Sequence, residues 1–98
     1  MESITTSELR ELLAGEFNGI LIDVREPHEH AIANIEQARL IPLGTLQGEL
    51  ADLPRDRDIY VHCKSGMRSA KAVNLMIENG FTRVKNVSGG IDAWLRGE

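Results

Sequence analysis

The chain has 98 residues, 42% of them apolar and 27% charged, with a net charge of −4. That length suits a single domain, residues 1–98, whose core stands without staples. The acidic balance without a basic stripe excludes nucleic acid and anionic membrane as main partners, and apolar runs as short as Ile20–Ile22 do not span a bilayer.

Residues 2–5 read as a short first strand. The stretch 6–16 reads as a helix opened by Thr6 or Ser7, with Leu9, Leu12 and Leu13 on one face and Gly15 and Gly19 around its end. Residues 19–24 form a continuous apolar run, as expected of a strand covered on both faces. Residues 26–33 predict a short helix with Pro27 in its first turn. A strand at 38–43 ends at Pro42, and a helix at 45–53 is capped by Thr45 and stops before Pro54. The third clear strand is 58–63. The strongest helical pattern covers 65–80, with Ala70, Val73, Leu75, Met76 and Ile77 as its apolar surface and Asn79-Gly80 as its stop. A last strand at 83–87 and a final helix at 89–97 complete the pattern. Strand alternating with helix predicts an α/β three-layer sandwich, with a central, mainly parallel sheet of about five strands flanked by helices. Residues 1–15 lack a basic start and an apolar stretch, so no secretory leader is expected. The single cysteine forms no internal disulfide, and a reducing, cytoplasmic setting is expected.

In parallel α/β sheets, ligands sit at the carboxyl ends of the strands. Cys63 ends the strand 58–63 and stands before the next helix. Three readings compete for it: a buried small hydrophobe, a metal ligand, or a nucleophile over an anion-binding loop. A helix start offers unpaired N–H groups and partial positive charge. Gly66 lets the chain curl so that N–H groups of residues 64–69 face the sulfur, and Lys64 and Arg68 bring cations close. Each of these favours thiolate over thiol, so Cys63 is expected to have a depressed pKa and to be the nucleophile. His28 and His30 form an H-x-H pair with no further ligand cluster nearby, so no metal site is expected.

The loop "CKSGMRS" (63–69) resembles the active-site loop of the rhodanese family of sulfurtransferases. "LIDVRE" (21–26) and "VSGGIDAW" (87–94) resemble the family's Asp-Val-Arg and closing Gly-Gly…Trp signatures. Between them the family's Gly-His-Ile-Pro-Gly-Ala pattern is replaced here by Ala33-Asn34-Ile35-Glu36-Gln37-Ala38. The resemblance spans roughly residues 4–96. It implies that Cys63 carries a sulfane sulfur as a persulfide, and that Lys64, Ser65, Gly66, Met67 and Arg68 form the cradle holding it. The implied donor is a small anion such as thiosulfate, or a protein persulfide. The implied acceptor is cyanide, a thiol or a sulfur-carrier protein, and neither organic cofactor nor metal is needed. Two alternatives stand beside this. One is a relay module that works only with protein partners. The other is a cysteine phosphatase, but those enzymes place five residues between cysteine and arginine, whereas here four separate Cys63 from Arg68. The shorter loop suits one added sulfur better than a phosphoryl group, and no aspartate is assignable as general acid, Asp23 being nearest by topology.

Other residues have plainer readings. Asp23 is a candidate for the pocket wall, or a cap for the turn after its strand. Arg25 is expected to pair with Glu26 or Glu29. His62 should point away from Cys63, as a hydrogen-bonded, partly buried histidine. Ser69 either donates to the sulfur or merely completes the first helical turn, Met67 lies at the rim, and Trp94 anchors the last helix. Gly89-Gly90 lets the chain turn tightly, near the Cys63 loop.

Overall fold

The computed structural model describes all 98 residues, Met1–Glu98. Each strand leads into a helical segment: β1 (Ser3–Ile4) into α1 (Thr6–Ala14), β2 (Ile20–Asp23) into α2 (Pro27–Ile32), and β3 (Ala38–Leu40) into α3 (Leu46–Glu49). They are followed by β4 (Ile59–His62) with α4 (Met67–Glu78), and β5 (Val84–Val87) with α5 (Gly90–Leu95). The five strands form one sheet in the order β1-β5-β4-β2-β3, with every pairing parallel. No helix is long and apolar enough to cross a membrane.

The apolar runs of β2 and β4 are buried along nearly their whole length because helices cover both faces of the sheet. Alternate side chains serve opposite layers. Ile22, Val24, Ile59, Val61 and Cys63 pack with Leu46, Leu50, Ala72, Val73 and Met76 from α3, α4 and the turn after α3. Leu21, Tyr60 and Val87 pack on the other face with Leu9 of α1 and Ile91 of α5. Trp94 joins this second layer, with the Arg10 guanidinium 3.9 Å from its ring, so it anchors the last helix as expected.

Several boundaries differ from the sequence reading. The cap of α1 is Thr5: its hydroxyl accepts the Glu8 N–H, and the Glu8 carboxylate accepts the Thr5 N–H, each at 3.0 Å. The expected helix 45–53 is a single α-turn between two 3₁₀ turns, and Thr45 donates to the Pro42 carbonyl instead of capping. Gly48 in its middle weakens the helix, while Leu46, Leu50 and Leu53 are buried all the same. Helix α4 starts at Met67 because Gly66 has φ 117, outside any helix. Its buried face is Ser69, Ala72, Val73 and Met76, at i, i+3, i+4 and i+7, whereas Ile77 is 46% exposed.

This topology fixes where a site forms. From β2 the chain crosses outward to β3 at one edge, and from β4 it crosses to β5 on the opposite side. The loops leaving β2 and β4 therefore diverge, opening a crevice at the carboxyl ends of these neighbouring strands. Cys63 follows β4, and Asp23 and Arg25 lie at the end of β2.

Candidate active site

The loop after β4 is shaped by what holds its carbonyl groups. Ile91 N–H donates to the Cys63 carbonyl at 2.9 Å, and Asp92 N–H donates to that of Lys64 at 3.0 Å. Gly90 brings the start of α5 this close. Its φ is +56, and a Cβ there would lie 2.5 Å from both carbonyl oxygens. With these carbonyls turned toward α5, amide N–H groups of the loop face the other way, toward sulfur. Gly66 N–H donates to Cys63 Sγ at 3.1 Å, and Ser69 Oγ lies 3.3 Å from it. The Cys63 residue is only 1% exposed. Burial pushes its thiol pKa up, but the Ser69 hydroxyl and the amides of Ser69, Gly66 and Ser65 more than offset this, so the pKa lies below its ordinary value. The reading of Cys63 as a thiol with a depressed pKa thus has a geometric basis in amides and a hydroxyl.

The two cations of the loop are arranged differently from expectation. The Arg68 guanidinium grips the Glu29 carboxylate through two parallel bonds, 2.7 and 2.9 Å. Lys64 Nζ donates to Asp92 at 2.9 Å, on the exposed surface. Each cation is paired with a carboxylate of this same chain. Met67 stands at the rim, 76% exposed, as expected.

Three residues of the site were missed in the sequence: Asn86, Glu29 and Asp92. Asn86 sits on β5 with its amide oxygen 2.5 Å from Ser69 Oγ and its amide nitrogen 3.4 Å from the Gly66 carbonyl. The signal for it was an asparagine inside the apolar run "VKNV", where a buried polar side chain needs partners.

Below the loop lies a second buried cluster. The parallel register sets Asp23 beside His62. Asp23 accepts the Arg25 backbone N–H at 2.9 Å, so it does cap the turn after β2. It also forms a bidentate pair with the Arg25 side chain, at 2.8 and 3.0 Å. Arg25 was expected to pair with Glu26 or Glu29; it pairs with Asp23, because its guanidinium folds back into the protein and reaches the Ala33 carbonyl at 2.7 Å. His30 Nδ1 donates to Asp23 at 2.9 Å. These bonds outweigh the burial that opposes ionisation, and Asp23 lies below the usual carboxylate range. His62 points away from Cys63, but it is fully buried. Its Nδ1 lies 3.2 Å from the Cys63 carbonyl, and Nε2 has no partner, 3.9 Å from Asp23. An acceptor carbonyl requires the proton on Nδ1, which leaves Nε2 as a bare, unpartnered lone pair near the Asp23 carboxylate.

The fold and the site together are a parallel α/β sandwich whose one cysteine sits in an amide-lined loop at the switch point of the sheet. The chain belongs to the rhodanese-like domain family, whose model matches residues 5–96. It is 34% identical over 96 residues to a sulfurtransferase of Allochromatium vinosum, covering 98% of this chain and 90% of that protein. It is 43% identical over 96 residues to the probable adenylyltransferase/sulfurtransferase MoeZ of Mycobacterium tuberculosis, covering 96% of this chain but 24% of that longer protein. The fold superposes on the human single-domain sulfurtransferase TSTD1 with a TM-score of 0.90 at 28% identity, covering 100% of this chain and 98% of that one.

Proposed function

We propose that the protein is a sulfurtransferase that carries a sulfane sulfur on Cys63. The observation that carries this reading is the loop itself: Gly66 N–H and Ser69 Oγ converge on Sγ, and the thiol pKa is depressed. Attack on a sulfane sulfur needs a thiolate. With thiosulfate, the Cys63 thiolate attacks the outer sulfur, the sulfur–sulfur bond of the donor breaks, and sulfite leaves with the bonding pair. The new Cys63–S–S⁻ is again an anion, and the loop amides of residues 64–68 form its cradle. A nucleophile then takes the outer sulfur and returns the thiolate. Cyanide, a thiol or a sulfur-carrier protein fills that role, and no metal or organic cofactor enters. Asp23 acts from below, through Arg25, rather than as a wall of the pocket.

The phosphatase reading gains nothing from the geometry, since the Arg68 guanidinium is already committed to Glu29. The deciding experiment is intact mass after incubation with thiosulfate or with a persulfide donor. The expected result is a gain of one sulfur atom that a thiol removes and that Cys63→Ala never acquires. Equal sulfur transfer by Cys63→Ala defeats the proposal.

A further inference from the structure

The cations at the mouth are paired, and one of the pairs is built from the core outward. Buried Asp23 fixes Arg25, whose guanidinium reaches the Ala33 carbonyl at the end of α2 at 2.7 Å. His30 ties the same helix to Asp23. Within α2, Glu29 Oε1 also accepts the Glu26 N–H at 2.9 Å, which holds its carboxylate in place. Glu29 then receives both Arg68 nitrogens. The Lys64–Asp92 pair is exposed and exchanges more freely with solvent ions.

We infer that Glu29 is a specificity-determining, positioning residue: by holding Arg68 it turns the site away from small dianionic donors and leaves it to persulfides borne on a thiol. The inference rests on the sulfurtransferase reading. Thiosulfate brings two negative charges toward a sulfur anion, and accepting it requires a free cation at the mouth. Arg68 is free only when its bidentate pair opens. A hydropersulfide, R–S–SH, reacts in its neutral form. The Cys63 thiolate attacks the outer sulfur, the donor's S–S bond breaks, and R–S⁻ leaves as Cys63–S–SH forms, whose proton then passes to R–S⁻ to leave the persulfide anion in the loop. One negative charge is present before and after, and no extra cation is demanded.

Glu29→Gln tests this. The amide oxygen still accepts the Glu26 N–H, but the charge that holds Arg68 is gone. At low ionic strength, KM for thiosulfate in thiosulfate:cyanide transfer is expected to fall by about 3–10-fold with kcat within twofold, the range set by losing one partly exposed charge-assisted pair. Inhibition by sulfate, an inert dianion, tightens in parallel. The rate of Cys63 loading by glutathione persulfide, read by intact mass, stays within twofold. Asp92→Asn, freeing Lys64, lowers KM for thiosulfate in the same direction by a smaller factor, and stands in should Glu29→Gln fail to fold. Unchanged thiosulfate KM and sulfate inhibition, with persulfide loading intact, overturn the inference and leave the sulfurtransferase reading standing. A wild-type protein that gains sulfur from neither donor overturns that reading itself.

Discussion

Ser69 has one hydroxyl proton and two neighbours that want it: the Cys63 sulfur at 3.3 Å and the Asn86 amide oxygen at 2.5 Å. With a thiol at Cys63, the S–H donates to Ser69 and the hydroxyl donates to Asn86. With a thiolate or persulfide anion, the hydroxyl has to turn to sulfur. Asn86 follows by rotating its amide so that nitrogen faces Ser69, which its long 3.4 Å bond to Gly66 resists little. Ser69→Ala removes the charge-assisted bond, worth about 1.5–3 kcal/mol. The thiol pKa, read from the pH dependence of iodoacetamide alkylation, is expected to rise by about 1–2 units. Asn86→Asp gives Ser69 a permanent acceptor and raises the same pKa, whereas an unchanged midpoint in both variants means that the amides alone hold the anion. That Cys63, Gly66 and Ser69 meet was legible because a cysteine, a glycine and a hydroxyl are close in sequence, while the sequence left open whether Ser69 donates to the sulfur or only completes the helical turn. Asn86, Glu29 and Asp92 were not, since their roles arise from elements that meet only in the folded chain.

At the scale of elements, α5 acts as a clamp on the active-site loop. Its first two usable N–H groups take the carbonyls of Cys63 and Lys64, and Gly90 is what lets it approach. Gly90→Ala adds both a left-handed residue and a methyl group 2.5 Å from two backbone oxygens. Strain of each kind costs about 1–3 kcal/mol. A loss of at least about 2 kcal/mol is expected from the urea midpoint, together with a raised Cys63 pKa as the amides lose their aim. A variant of native stability and native alkylation profile would show that α5 does not shape the loop. The alternation of β and α elements was readable because both-face burial forces continuous apolar strands, and the approach of Gly89-Gly90 to the loop was readable from glycine's freedom. The helix after β3 was not, because Leu46, Leu50 and Leu53 are consistent with a helix while Gly48 and the nearby prolines break its regularity. The cap at Thr5 was hidden by three hydroxyl residues in a row, Thr5, Thr6 and Ser7, of which only Thr5 stands three residues before Glu8.

For the whole molecule, ionisable groups placed in and around the core set how stability depends on pH. His62 is buried with Nε2 unpartnered, and burial pushes its pKa below the ordinary 6.5 despite the pull of Asp23. The native state therefore keeps His62 neutral where the unfolded chain takes up a proton. The unfolded state binds more protons at His62 below about pH 6.5, so the His62 contribution to stability falls as pH drops through that point and adds no slope above it, whereas the depressed Cys63 thiol adds its own decline as pH drops from the ordinary thiol pKa. The carboxylates act lower. Asp23 is held below its usual range by Arg25 and His30 against its burial, and Glu29 is lowered to about 2, first by Arg68. Their contributions are complete above the ordinary carboxylate range and are lost as pH falls through their native values, a separate window below about pH 4.5. Urea unfolding of Cys63→Ala, which removes the thiol's own titration, followed from pH 8 downward should thus show a plateau, a first decline starting near pH 6.5 with a slope of at most about 1.4 kcal/mol per pH unit for one proton, and a steeper acid limb, with the His62 variant made in the same background. His62→Gln lacks the titrating ring. It is expected to abolish the first decline while keeping the acid limb, whatever its stability at pH 8. A decline between pH 6.5 and 5 that survives in His62→Gln would assign the proton uptake to another group, and would mean that the orphaned imidazole beneath Cys63 is charged or hydrated in the native protein.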